Sequence, residues 1–247
     1  MDYDSEMVRK DLLILIPSRA GSKGIPNKNL VDLDGHPLIS WTISPAIKSN
    51  ISEHIIVSTN SESIRKIAVT YGASAPFLRP DKISGDSSLQ IDVIRHCLDF
   101  FRSEGIDFES TLLLQPTTPF RTKDIITEIF RIWKTRDVDT IISVSDASKY
   151  DQSTIYQADA ILGNIVKLQV NSISPMGTLR QNFKRVWWRN GSIYLFKNRN
   201  LVEFNSIYGK NILGYVSKFW ENINLDEESD LEVARILAPT FRKIFLN

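Results

Sequence analysis

Short, continuous runs of apolar residues alternate along the chain with longer stretches in which apolar residues recur every three or four positions. Four runs predict strands that are buried on both faces, at Leu12–Ile16, His54–Thr59, Thr111–Gln115 and Thr140–Val144. The stretches between and after them predict helices, at Pro37–Lys48, Ser61–Tyr71, Ser87–Ser103 and Lys123–Lys134. This alternation predicts an α/β fold, with a mostly parallel sheet covered by helices on both faces.

The pattern changes after Ser145. Two apolar segments, Thr154–Tyr156 and Ile165–Val170, flank the pair Gly163-Asn164, which predicts a hairpin. Two later segments predict a strand and a helix, at Ser192–Phe196 and Leu225–Leu237. We therefore expect one domain over residues 1–247, from which residues 146–185 protrude as an arm; a long surface loop is the alternative for the arm.

Composition and charge exclude several classes of protein. With 247 residues and 42% hydrophobic residues, the chain can bury a full core. The net charge of +1 argues against a general grip on nucleic acid. A single cysteine, Cys97, and three scattered histidines provide neither a disulfide nor a clustered metal site. No apolar segment near the N-terminus is long enough for a secretory signal or a membrane span, so we expect a cytoplasmic protein with no membrane partner.

A polar loop, Ser18–Asn29, follows the first predicted strand directly. Ligands of open parallel sheets bind beyond the carboxyl ends of the strands, so this loop is in a suitable place. Gly21 and Gly24 allow backbone N–H groups to approach an anion, and three cations follow one another in the loop, at Arg19, Lys23 and Lys28. The loop matches neither GxxxxGK[ST] nor GxGxxG. It therefore predicts a triphosphate site, with a solvated basic turn as the alternative.

Six segments in order resemble one enzyme family. They read SRAGSKGIPNKN, HIIVSTNSESI, FLRPDKISGDSS, LLLQPTTPFR, RNGSIYLF and INLDEESDLEVA. Together they resemble the cytidylyltransferases that activate acylneuraminates (the CMP-sialic acid synthetases) and related eight- and nine-carbon sugar acids. The resemblance implies a Rossmann-like fold of the nucleotide-diphospho-sugar transferase type. It also implies transfer of CMP from CTP to the anomeric hydroxyl of a 2-keto-3-deoxy sugar acid, with release of pyrophosphate.

The resemblance assigns the loop Ser18–Asn29, called the phosphate loop below, to CTP. Arg19, Lys23 and Lys28 would neutralise the triphosphate, and Arg19 and Lys28 would also serve catalysis. The remaining nucleotide contacts it implies are Ala20, Gly21, Ser22, Asn29, Arg79 and Ser87. Two of these have ordinary alternatives, because Arg79 could be a surface arginine and Ser87 could simply cap the following helix.

The acceptor contacts implied by the resemblance come from three segments: Gln115, Arg180, Gln181, Asn190 and Tyr194. Gln115 ends a buried strand, where an amide needs a partner. A guanidinium such as that of Arg180 suits a carboxylate, although a solvated charge on the arm is the alternative. Tyr194 could equally be a core tyrosine. For Arg121 the sequence leaves two roles open, a cation that binds the substrate and a residue at the rim of the site.

A magnesium site is implied at Asp226, with helix capping as the alternative. The sequence departs from the family twice near this half of the site. Asn224 stands where a second aspartate is common, so its part in metal binding is open. Trp188 stands where sialic-acid enzymes often carry an arginine, and the adjacent Arg189 would point elsewhere if the segment were extended. The resemblance further implies a homodimer, with a tetramer as the alternative.

Three hypotheses follow for the function. The first is a CMP-sugar-acid synthetase acting on a sialic-acid-like acceptor. The second is a related cytidylyltransferase for another acceptor, namely legionaminic, pseudaminic or octulosonic acid, or a phosphorylated or phosphonate compound. The third is a nucleotide-binding protein without catalysis, which Asn224 keeps open.

Overall fold

The computed structural model describes residues 8–147, 157–162, 165–169 and 185–245. Ten strands are β1 (Val8–Pro17), β2 (Asp32–Leu33), β3 (His36–Pro37), β4 (Ile55–Ser58), β5 (Ile106–Leu114), β6 (Thr140–Asp146), β7 (Gln157–Leu162), β8 (Ile165–Gln169), β9 (Trp187–Lys197) and β10 (Ile212–Val216). Six α-helices are α1 (Ser40–Ser49), α2 (Glu62–Thr70), α3 (Gln90–Ser103), α4 (Lys123–Thr135), α5 (Arg199–Glu203) and α6 (Glu228–Phe245).

The central sheet has six strands in the order β10–β6–β9–β5–β1–β4. Strand β1 pairs in parallel with β4 and β5, and β6 pairs in parallel with β10, whereas β9 runs antiparallel between β5 and β6. The four strands predicted from continuous apolar runs are confirmed as β1, β4, β5 and β6. The predicted strand Ser192–Phe196 lies within the longer β9, and β10 is a strand that the pattern did not predict.

Helices cover both faces of the sheet, as predicted. One face packs its apolar side chains, such as Ile14 and Leu112, against α1, α2 and α4. The other face, which includes Leu13 and Tyr194, packs against α3. A third cluster joins α6 to the phosphate loop through Ile25 and Leu231. The phosphate loop is therefore held by apolar packing on the same body that carries the sheet.

Three predicted helix starts are wrong, one of them in the last helix, α6, which begins at Glu228 and not at Leu225. Pro37 belongs to the two-residue strand β3, and α1 begins at Ser40 instead. Strands β2 and β3 are joined by Asp34-Gly35, whose φ angles of 53° and 81° suit the tight turn of a two-residue hairpin. Helix α3 begins at Gln90 and not at Ser87, so Ser87 does not cap it.

The predicted hairpin beyond residue 146 is present. Strands β7 and β8 pair antiparallel, with Leu162 opposite Ile165, whereas the segment Thr154–Tyr156, predicted as the first strand, lies outside the described residues. The extent of the arm, and its separation from the domain, stays a prediction. Within the described residues, no helix combines the length and the apolar character that crossing a bilayer requires.

Candidate active site

An open cleft of about 380 Å³ lies at the carboxyl ends of β1 and β5. This is the edge where an open parallel sheet binds its ligands. Its lining comes from the phosphate loop, the segment before α3, the end of β5 and the segment before α6. Predicted site residues that line it are Arg19, Ser22, Lys23, Lys28, Asn29, Arg79, Gln115 and Asp226.

Gly24 allows the phosphate loop to lie against the segment that carries Asp226. A Cβ on Gly24 would stand 2.1 Å from the carbonyl oxygen of Asp226, which no side chain could tolerate. Lys28 makes the second contact, because its buried ammonium donates a short hydrogen bond to the carbonyl of Leu225 and lies 3.6 Å from Oδ1 of Asp226. The backbone N–H of Leu225 in turn donates to Thr117 O at 2.8 Å. The phosphate loop, the loop after β5 and the Asp226 segment are thereby fixed to one another.

Two cations of the loop contact the same carboxylate. Nη2 of Arg19 lies 2.5 Å from Oδ1 of Asp86, and Nζ of Lys23 lies 2.8 Å from Oδ2. Hydrogen bonds from Lys23 and then Arg19 hold the pKa of Asp86 below its usual value. An anionic group therefore already occupies the position between these cations.

Arg79 is a buried cation at the floor of the cleft, with 4% of its surface exposed. Its Nε donates to Ser84 Oγ at 3.1 Å, whereas Nη2 is buried without a hydrogen-bond partner. Burial, followed by the nearby charge of Arg19, lowers the pKa of Arg79 to about 10. The interpretation of Arg79 as a surface arginine is wrong, and its unpaired N–H groups suit an acceptor on a bound nucleotide.

The side chains of Gln115 and Tyr194 both approach Gly191. Oε1 of Gln115 and Oη of Tyr194 each lie 3.9 Å from the point that a Cβ on Gly191 would occupy. Gly191 has a φ of 82°, a conformation that favours glycine. Tyr194 is buried against the α3 face, and burial raises its pKa. Tyr194 is thus a core residue, and it is not among the residues that line the cleft.

Asn190, which was predicted to contact the acceptor, instead has its hydrogen-bond partners within the fold. Its side chain is 3% exposed, and Oδ1 accepts hydrogen bonds from Ser143 Oγ at 2.6 Å and from the N–H of Ser192 at 3.2 Å. Nδ2 donates to Ser145 Oγ, Ser217 Oγ and Asn222 Oδ1. Because both amide atoms are engaged within the fold, Asn190 braces an irregularity in β9 and does not face an acceptor.

The irregularity in β9 changes which side chains share a face. Between the pairs Ile142–Tyr194 and Val144–Arg189, a single residue of β6 stands opposite the four residues 190–193 of β9. Ile142 and Val144 are two residues apart in β6, so they lie on one face of the sheet, and paired residues of neighbouring strands share a face. Tyr194 and Arg189, which pair with them, therefore lie on the same face, although five positions separate them in β9. Arg189 therefore points away from the side on which its neighbour Trp188 lies, as expected for an extended segment. Trp188 lies on the opposite face, in a groove with Phe219.

Arg121 is neither a binding cation at the surface nor a rim residue. It is fully buried, and its guanidinium donates to Ser192 O, Gln115 O and Thr118 Oγ1 at 2.6 to 3.0 Å. Burial lowers its pKa to about 9, against the attraction of Glu221. Arg121 ties the loop after β5 to β9 and so sets the position of Gln115.

Asp226 presents a largely exposed carboxylate to the cleft, with 68% of the side chain accessible. Asn224 donates a short hydrogen bond to its Oδ2. Helix α6 begins at Glu228, two residues after Asp226, and the N–H groups of Asp226 and Glu227 donate to Asp230 Oδ2 at 2.8 Å each. The described residues include no group of three His, Cys, Asp or Glu side chains around a common point. The donor set fits Mg²⁺ only if phosphate oxygens and water complete it.

Some predicted contacts lie apart from the cleft. Arg180 and Gln181 lie outside the described residues. Ala20 and Gly21 do not line the cleft, and Ala20 instead donates its N–H to Asn60 Oδ1 at 2.8 Å. Ser87 is exposed beside the cleft, whereas its neighbour Ser88 lines it. Identical neighbouring residue types gave no signal that could separate the two serines.

Comparisons with known proteins agree with this geometry. The family model described as Cytidylyltransferase matches residues 13–237. The CMP-N,N'-diacetyllegionaminic acid synthase of Legionella pneumophila is 37% identical over 199 residues, covering 81% of this chain and 83% of that protein. The N-acylneuraminate cytidylyltransferase of Escherichia coli is 29% identical over 92% of this chain, which spans 52% of the relative's length. A solved CMP:2-keto-3-deoxy-manno-octonic acid synthetase complexed with CTP has a TM-score of 0.66 at 15% identity, covering 94% of this chain and 99% of its own, and shows the shared fold.

Proposed function

Because this chain belongs to the cytidylyltransferase family, we propose that it transfers CMP from CTP to the anomeric hydroxyl of an acyl-amino 2-keto-3-deoxy sugar acid. The observation that carries the proposal is the cleft itself. It brings three cations, Arg19, Lys23 and Lys28, to the carboxyl end of β1, beside Gln115 at the end of β5. A triphosphate and a polar acceptor can therefore lie side by side across two adjacent strands.

The reaction needs positioning and neutralisation of charge more than covalent help from the protein. The anomeric oxygen attacks the α-phosphorus, the bond from that phosphorus to the bridging oxygen breaks, and pyrophosphate leaves while the hydroxyl proton passes to solvent. Arg19 and Lys23 would bind the phosphates in place of Asp86. Lys28 would bridge the phosphates and the Asp226 segment, and Arg79 would satisfy its unpaired Nη2 on the nucleoside.

Asp226 would hold Mg²⁺ against the phosphate oxygens, where a divalent cation neutralises the charge that builds on the leaving pyrophosphate. Asn224, which donates to that carboxylate, would orient it and not add a second negative charge. We expect metal binding to depend strongly on bound CTP, because one carboxylate is a weak magnesium site by itself.

N,N'-Diacetyllegionaminic acid is the acceptor we favour. Its synthase from Legionella pneumophila is the relative with 37% identity, compared with 29% for the N-acylneuraminate enzyme of Escherichia coli. N-acetylneuraminic acid is the second candidate. Both acids have the same reacting centre, so the proposed chemistry is unaffected by the choice.

A pyrophosphate-release assay tests the proposal. The purified protein would be incubated with Mg²⁺, with CTP or ATP, and with N,N'-diacetyllegionaminic, N-acetylneuraminic, pseudaminic or 2-keto-3-deoxy-manno-octonic acid. We expect release with CTP and an acyl-amino acid, together with a CMP-sugar detected by mass spectrometry. Release with ATP but not CTP, or with none of the acids, would contradict the proposal.

We further propose that the protein acts as a homodimer through the arm of residues 146–185. The resemblance to the family supports this, as do two large aromatic side chains exposed next to the arm, Trp187 at 44% and Trp188 at 48%. Light scattering of the purified protein measures the mass directly, and a monomer at working concentration would contradict a dimer.

A further inference from the structure

Two side chains near Tyr194, the guanidinium of Arg189 and the phenol of Tyr208, have no role in the site described above. The guanidinium of Arg189 donates a short hydrogen bond to Oη of Tyr208, and its centre lies 6.0 Å from the ring of Tyr208. The bond to Tyr208 and the charges of Tyr194 and Tyr208 raise the pKa of Arg189. Tyr208 belongs to the loop between α5 and β10, so two distant segments build this pair.

The sheet places the Arg189–Tyr208 pair away from the phosphate loop. Strand β9 is separated from β1 by β5, and neighbouring strands lie about 4.8 Å apart, so the pair lies roughly 10 Å across the sheet from the triphosphate position. Within the described residues, the guanidinium has one hydrogen-bond partner, the phenol of Tyr208. An arginine has five N–H donors, and the bond to Tyr208 uses one of them.

The chemistry of the acceptor decides which group can reach that position. This step rests on the proposed function. In a 2-keto sugar acid the carboxylate is attached directly to the anomeric carbon, so it stays beside the reacting phosphorus. Substituents on the far side of the ring would point away from the phosphorus, so an acceptor lying across Gln115 would extend them towards β9. A guanidinium edge suits a carbonyl oxygen, and the ring of Tyr208 offers an apolar surface to an acyl group.

We infer that Arg189, braced by Tyr208, is a specificity-determining residue that binds the carbonyl oxygen of an acyl-amino group on the far side of the acceptor ring. The position of Arg189 on the face of Tyr194 depends on the extra residues that β9 inserts opposite β6. In a regular strand Arg189 would lie on the face of the groove that contains Trp188. The discrimination between sugar acids is thereby assigned to β9 and the loop before β10, and the reaction centre to β1 and β5.

The test compares two acceptors that differ in one group. They are the acyl-amino acid with the highest activity in the panel and its analogue with a hydroxyl in place of one acyl-amino group. For Arg189→Met we expect kcat/KM for the acyl-amino acid to fall about 10- to 100-fold, as for the loss of a charge-assisted hydrogen bond. The value for the analogue and the KM for CTP should not change. If the analogue reacts too slowly, its inhibition constant replaces kcat/KM.

Three further variants make the comparison specific. Arg189→Lys should recover part of the loss because it keeps a donor and a charge, and Tyr208→Phe should cause a smaller loss with the same selectivity. Arg131→Met removes an exposed arginine on α4 that pairs with Glu128 and should change nothing. Melting temperatures equal to that of the unmodified protein would exclude a general folding defect.

Two results would overturn the inference while leaving the proposed function intact. An equal loss for both acceptors would mean that Arg189 contacts a group they share, such as the carboxylate. No loss for either would mean that Arg189 only braces the loop of Tyr208. In contrast, an unmodified protein that transfers CMP to none of the acids would refute the proposed function itself, and this inference with it.

Discussion

Nη2 of Arg19 lies 2.5 Å from Oδ1 of Asp86, in the place where a phosphate oxygen is expected. Lys23 contacts the other carboxylate oxygen of Asp86, and both contacts favour the ionised carboxylate. A fixed negative charge inside a triphosphate site would repel CTP. The carboxylate must therefore give up Arg19 and Lys23 when the nucleotide binds, so Asp86 competes with the substrate.

Asp86→Asn should consequently strengthen CTP binding. The amide keeps the size of the side chain but removes the charge that competes for Arg19 and Lys23, so we expect the KM for CTP to fall several-fold, on the order of one exposed ion pair or more. Asp81→Asn, an exposed aspartate in the same segment, is the matched control. Weaker CTP binding in Asp86→Asn would indicate instead that this carboxylate contacts the bound nucleotide.

Lys28→Met tests the cation that joins the two halves of the cleft. The substitution removes the donor to the carbonyl of Leu225 and the cation 3.6 Å from Asp226. We expect the KM for CTP to rise about 10- to 100-fold, because a charge-assisted contact to phosphate is lost. The exposed Lys82 provides a control as Lys82→Met. An unchanged KM for CTP would remove Lys28 from the phosphate site.

Asp226→Asn should abolish magnesium-dependent turnover while CTP still binds. The amide is nearly isosteric, but it lacks the negative charge that a hard cation requires. Turnover measured against Mg²⁺ concentration, together with CTP binding by calorimetry, separates loss of metal from loss of nucleotide. Asp230→Asn is a poor control because Asp230 caps α6, so Glu227→Gln, next to Asp226, is preferable. Normal turnover in Asp226→Asn would show that this carboxylate does not hold the metal.

The half of the site that lies on β1 and β5 could be predicted from the sequence, because it depends only on which loop follows which strand along the chain. Each buried strand is a continuous apolar run, and the loop that follows it must lie at the carboxyl edge of the sheet. This rule indicated the edge of the sheet at which Lys28 and Gln115 lie, and the family resemblance supplied their roles. Strand β10 was missed because five residues that include Gly214, with Ile212, Leu213 and Val216 exposed, give neither alternation nor a buried run.

The half that lies on β9 could not be predicted in the same way. Its geometry depends on the extra residues that β9 inserts opposite β6, which reverse the faces of the residues before them. The alternation of apolar and polar residues along β9 does not reveal this insertion. Asn190 stabilises the irregularity through Ser143, Ser145, Ser217 and Asn222, which come from three other segments. Partners so distant in sequence become visible only in the folded chain.

Asp139 offers a test of the frame that holds β6, β9 and β10 together. Its carboxylate accepts hydrogen bonds from the N–H groups of Lys210 and Asn211, at 3.1 Å each, and contacts Lys197 and Arg199 at 3.2 and 2.9 Å. The hydrogen bond from Asn211, followed by that from Arg199, holds the pKa of Asp139 well below its usual value. The native state therefore favours the ionised carboxylate.

A depressed pKa contributes stability above the pKa of the unfolded chain, about 4 for aspartate, and that stability is lost as the pH falls. Asp139→Asn should lower the melting temperature at pH 7, and the difference from the unmodified protein should shrink below about pH 4. Asp137→Asn is the matched control, because Asp137 contacts the same Lys197 but its side chain is 94% exposed. Melting temperatures measured from pH 7 to pH 3 would contradict the assignment if the Asp139→Asn difference stayed constant.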